Sequence, residues 1–125
     1  MLHRLIAETV ATAVSEGVEL EPVKGIDVSK VTLSTKFDDS EVERQFGNLV
    51  EVARSGLPHK THSGVYYNLR VRRQSTESVE ILTPIIDRAD RCGLEPRALR
   101  NLRVTLDRLE NDPTQMSPAL MEALA

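Results

Sequence analysis

Aliphatic residues return at steps of three and four in four separate stretches of this chain, and no segment gives a convincing strand alternation. A step of three to four follows one face of a helix, whereas a half-buried strand needs a step of two. The first stretch carries Leu2, Leu5, Ile6, Val10, Ala13 and Val14 and stops at Gly17. The second opens on Asp38-Asp39-Ser40-Glu41, carries Val42, Phe46, Leu49, Val50 and Ala53, and stops at Gly56. The third carries Val79, Leu82, Ile85, Ile86 and Ala89 up to Cys92-Gly93, with a kink expected at Pro84. The fourth starts at Pro96, carries Leu99, Leu102, Leu106 and Leu109, and is stopped by Asn111-Asp112-Pro113. Ser63 is placed to cap a shorter helix with Val65, Tyr66 and Leu69, and Ser117-Pro118 to open a last one with Leu120, Met121 and Leu124. Residues 18–37 are open between a turn of helix and an extended run at Val31-Thr32-Leu33. The expectation is one all-α domain over 1–125, a bundle of five or six helices.

Composition narrows the function classes. The chain has 125 residues, 40% hydrophobic and 28% charged, enough for one core of ordinary size. Its net charge of -3 provides no global field to recruit nucleic acid or an anionic membrane. No apolar run approaches the roughly 20 residues of a membrane span. No signal peptide is legible behind Met1-Leu2-His3-Arg4, so a cytoplasmic location is expected. The single cysteine, Cys92, excludes an internal disulfide and a Cys-rich zinc site, and its place beside a helix-ending glycine suits a structural thiol. The six glycines are isolated from one another, so no dinucleotide fingerprint can be written. His59 and His62 stand three apart in a loop behind Pro58, too few ligands for zinc, and no metal is expected. Arg97, Arg100, Arg103 and Arg108 on a leucine-striped helix suit a solvated bundle surface. With 3% aromatic residues and no Trp, nothing accompanies them that would stack on bases.

The most informative stretch runs from Thr61 to Glu77, T-H-S-G-V-Y-Y-N-L-R-V-R-R-Q-S-T-E. His62-Ser63-Gly64, Arg72-Arg73 and Thr76-Glu77 come in the order of a serine-containing turn, an Arg-rich stretch and a Thr-Glu pair opening a long helix. Gly93 and Pro96 then close that helix and open a leucine-rich one, and Leu2–Gly17 followed by Val18-Glu19-Leu20 stands upstream. In this order and spacing the chain resembles the C-terminal helical domain of ketopantoate reductase (2-dehydropantoate 2-reductase) over residues 2–124. The resemblance implies the fold of the C-terminal-like domain of 6-phosphogluconate dehydrogenase. It implies that Glu77 accepts a hydrogen bond from the substrate's hydroxyl, that Ser63 holds its carboxylate, and that Arg73 adds positive charge, with Arg72 beside it. As ordinary local structure, Ser63 and Thr76 are helix caps and Glu77 a first-turn carboxylate.

The resemblance also implies what stands outside these residues. In the complete enzymes a Rossmann domain binds NADPH, and the catalytic lysine lies on a helix just before the point where this chain starts. No cofactor site is therefore expected in this chain. NADPH would come from a separate chain or a missing domain, the ligand would be a small hydroxy or keto acid, and the apolar face left uncovered would favour a homo-oligomer. The chain departs from the family pattern at Asn68, Ser78, Val79 and Thr83. Those departures favour the alternative of a non-catalytic helical interaction module or homodimer.

Overall fold

The computed structural model describes residues 2–22, 28, 63–117 and 119–120, and all regular structure among them is helical. Helix α1 spans Leu2–Ser15. Helix α2, a single turn over Gly64–Tyr66, runs directly into a π-helical turn over Tyr67–Arg72. Helices α3 (Ser78–Arg91) and α4 (Arg97–Asn111) follow, and a 3-10 turn covers Pro113–Gln115. The stretch 42–53 with its predicted helix, the histidines at 59 and 62, and Met121 and Leu124 lie outside the described residues.

Two of the predicted glycine stops have the expected geometry. Gly17 has φ +76° and Gly93 φ +72°, the left-handed conformation that a Cβ disfavours. At the end of α3, Leu94 N–H donates to Ala89 C=O and Gly93 N–H to Asp90 C=O, each at 2.9 Å. At the end of α1, Val18 N–H donates to Ala13 C=O at 2.9 Å and Gly17 N–H to Val14 C=O at 3.0 Å. Both are Schellman motifs, in which the turning residue returns two amides to the helix's orphan carbonyls. Pro84 does not end α3, which continues through it to Arg91.

The Gly93 turn folds α4 back antiparallel to α3. Arg100 pairs with Asp90 across that turn, and at the far end Thr76, before α3, meets Glu110 in the last turn of α4. Helix α1 packs against both. Ala89, Ile86, Leu99 and Leu109 are buried between the helices, and Leu69 from the π-turn is closed off at 1% exposure. Two sides of α1 are buried, one at Ala7 and Val10 and one at Glu8 and Thr12. Most of the aliphatic stripe read from the sequence lies between those sides, with Leu5, Ile6 and Ala13 half-buried and Val14 56% exposed.

Glu8 does something a stripe of aliphatic residues does not suggest. Its carboxylate accepts from Ala98 N–H and Leu99 N–H, both at 2.9 Å, one oxygen to each. These are first-turn amides of α4, whose own cap residue, Pro96, has no side chain able to accept them. A residue 90 positions away thus caps α4 and joins it to α1.

The 3-10 turn is capped locally. Asp112 accepts from the Thr114 hydroxyl, from Gln115 Nε2 at 2.9 Å and from Thr114 N–H at 3.1 Å. The Thr114 hydroxyl, then the Gln115 amide, then the Thr114 N–H hold its carboxyl below the usual carboxylate range. A group whose folded pKa is depressed contributes stability above its unfolded pKa of about 3.9, and loses it as pH falls through the lower folded value. Acidification is therefore expected to shift the Thr114 amide resonance with a midpoint below about pH 3.9. A midpoint at or above that value would show that the cap is not formed.

Candidate functional site

The connection between the π-turn and α3 holds the candidate residues that follow the Arg-rich stretch. Ser63 starts the segment as the cap of α2: its Oγ accepts Tyr66 N–H at 3.1 Å. The π-turn is fastened by the buried Leu69 and by Arg70, which donates to Pro113 C=O at 3.1 Å. Arg72 donates to Asn68 Oδ1 at 3.2 Å, so this guanidinium is partly engaged along its own helix. Arg73 then takes φ 51° and ψ 46°, the only described non-glycine residue at positive φ. Its N–H and that of Gln74 both return to Asn68 C=O. The side chain of Arg73 is exposed and has no protein partner among the described residues.

Thr76 is the buried pivot of the connection, 3% exposed. Its N–H and its hydroxyl donate to the same oxygen of Glu110, at 2.7 and 2.8 Å. The hydroxyl also accepts Ser78 N–H at 3.3 Å and so caps α3. Glu77 follows with helical φ and ψ, its C=O accepting Ile81 N–H at 3.0 Å. Its carboxylate is exposed, makes no capping bond and has no protein partner among the described residues.

Arg73 and Glu77 thus sit in one short connection, four positions apart, with both charged groups exposed. Ser63 lies at the opposite end of the helical segment 64–72 from Arg73, with its oxygen already engaged as a cap. A carboxylate accepts a hydroxyl hydrogen, a guanidinium binds a carboxylate, and this connection presents one of each. Glu110 and Glu8, which fix the two ends of the α3–α4 hairpin, are the residues sequence reasoning missed. A carboxylate in the last turn of a helix opposes the helix dipole, and that is the one signal by which Glu110 stands out.

Left-handed backbone costs a residue with a Cβ roughly 1 kcal/mol. Arg73→Gly is therefore expected to raise unfolding stability by about 0.5–1 kcal/mol in urea denaturation. A loss of stability would mean that the Arg73 side chain has a structural partner.

A second feature lies between α1, α3 and α4. Leu5, Ile6 and Ala13 of α1, Leu82 of α3 and Leu99 and Leu102 of α4 line an open groove of about 420 Å³, together with Leu20 and Val28. The lone hydroxyl in the lining, Thr9, donates to Leu5 C=O at 2.8 Å, leaving the wall almost wholly aliphatic. Arg97, Arg100, Arg103 and Arg108 are all exposed on α4; Arg97 pairs with Glu95 and Arg100 with Asp90. Cys92 is half-buried at the C-terminal cap of α3. Among the described residues there is no cluster of three metal-ligating side chains, and no helix is long and apolar enough to cross a membrane.

No protein-family model matches the chain, and no curated protein and no solved structure matches it.

Proposed function

We propose that the chain is the substrate-facing helical part of an enzyme resembling ketopantoate reductase, and that it binds a small hydroxy or keto acid at the connection 73–77. The observation that supports this reading best is the contrast between two neighbours. Thr76 is buried and tied to α4 by two hydrogen bonds, while the next residue, Glu77, holds an exposed carboxylate with no partner among the described residues. A ligand hydroxyl would donate to Glu77, and the ligand's carboxylate would be held by Arg73; Ser63, at the other end of the segment 64–72, is outside the reach of the same small acid.

The described residues do not suit NADPH. Gly17 and Gly93 are spent in helix-ending turns and Gly64 stands in the first turn of α2, so no glycine-rich strand-to-helix turn presents amides to a pyrophosphate. In this reading the hydride belongs to another domain or another chain, and the residues here bind and orient the acid. Calorimetric titration of the full chain with pantoate tests the reading: saturable binding supports it, and no heat up to millimolar pantoate contradicts it.

The groove supports a second reading, a helical interaction module or homodimer. An aliphatic surface of this kind marks a site of association when it is contiguous. Light scattering is expected to show a dimer or larger species at tens of micromolar. A clean monomer from micromolar to millimolar concentration would contradict this second reading.

A further inference from the structure

We infer that Glu110 is a positioning residue for the proposed acid site: from the last turn of α4 it sets where Glu77 stands. This inference rests on the functional reading above for its ligand, and on the hydrogen bonds alone for its geometry. The connection 73–77 has few attachments of its own. Gln74 and Ser75 are exposed, and among the described residues Arg73 is held only through its backbone. What fixes the connection laterally is Thr76, and what holds Thr76 is one oxygen of Glu110, which accepts from both its N–H and its hydroxyl. The same hydroxyl accepts Ser78 N–H, so the chain of bonds runs from α4 through Thr76 into the first turn of α3, with Glu77 enclosed between the two bonded residues. The other side of the connection is held at the same end of α4, where Arg70 donates to Pro113 C=O. Both approaches to Glu77 are therefore anchored at the C-terminal end of α4, one to its last turn and one to the 3-10 turn that follows. Without Glu110, the buried Thr76 N–H loses its acceptor, and the segment must move to hydrate it.

The test uses the full chain, pantoate as the probe, and three variants. Glu110→Gln keeps an oxygen able to accept both Thr76 donors, Glu110→Ala removes the acceptor, and Thr76→Val removes one of the two donors. Two readouts are followed by NMR: pantoate affinity of the folded protein, and amide exchange at Glu77 and Ser78. The expected result is an affinity loss of about tenfold or more for Glu110→Ala, an intermediate loss for Thr76→Val, and rescue to within about threefold by Glu110→Gln, because glutamine keeps the oxygen that accepts both Thr76 donors. Exchange at Glu77 and Ser78 should rise in Glu110→Ala and stay near wild type in Glu110→Gln; in Thr76→Val the Ser78 N–H also loses its own acceptor, so its exchange rises there directly. Wild-type affinity in folded Glu110→Ala, or failure of glutamine to rescue, would overturn the inference. Should the wild-type chain bind no pantoate, the functional reading falls by itself, and amide exchange decides the inference. Faster exchange confined to 74–80 in Glu110→Ala supports it, and exchange unchanged from wild type overturns it.

Discussion

Glu8→Ala is expected to cost more than about 2 kcal/mol of unfolding stability. Glu8 is 8% exposed, and its two oxygens serve two different amides, Ala98 N–H and Leu99 N–H. Alanine would leave both first-turn donors without an acceptor in a place water reaches poorly. Each unsatisfied buried donor costs about 1–3 kcal/mol. Loss of a negative charge at a helix N-terminus adds about 0.3–1 kcal/mol. Helix α4 has no fallback, since Pro96 supplies no side-chain cap. Glu8→Gln keeps one accepting oxygen and turns an NH2 group toward the second amide, so it is expected to cost less than alanine while remaining destabilising. Urea denaturation of the three proteins checks the order. Equal stability of wild type and Glu8→Ala would show that α1 does not cap α4.

Glu77→Gln is expected to weaken pantoate binding by about ten- to a hundred-fold and to leave stability nearly unchanged. The reason lies in what the carboxylate does and does not touch. It makes no capping bond to α3 and is exposed, so the fold loses only its interaction with the helix dipole, about 0.3–1 kcal/mol. A ligand hydroxyl donating to a carboxylate makes a charge-assisted hydrogen bond of roughly 1.5–3 kcal/mol, and an amide oxygen returns only part of it. Calorimetry and urea denaturation on the same preparations separate the two effects. Unchanged affinity in the presence of measurable binding would remove Glu77 from the site.

The helical class and the helix ends were legible because they are local. Gly17 and Gly93 end α1 and α3 through bonds spanning five residues, and the leucine spacing of α4 survives as Leu99 and Leu109 in the core. Pro96 is also local, though it stands one position earlier than expected, as the cap before Arg97. What sequence periodicity does not show is which neighbour a helix face meets. The stripe of α1 reads as core, yet Leu5, Ile6 and Ala13 line an open groove, because α1 is buried on two sides by α3 and α4 and the stripe falls between them. By its spacing the π-turn belongs to an ordinary helix with Val65, Tyr66 and Leu69. Leu69 is buried there, and Arg70 donates to Pro113 C=O, 43 positions away. At the candidate site, Ser63 and Thr76 are caps as local chemistry requires. The partner of Thr76 is invisible in the chain because Glu110 lies 34 residues downstream.

The most direct test of the proposed acid site is a two-dimensional amide NMR titration of the labelled full chain with pantoate. The account predicts saturable shifts concentrated at Arg73, Thr76, Glu77 and Ser78, and their disappearance in Glu77→Gln. Shifts confined to the groove residues Leu5, Leu82 and Leu102, or no shifts at millimolar pantoate, would contradict it.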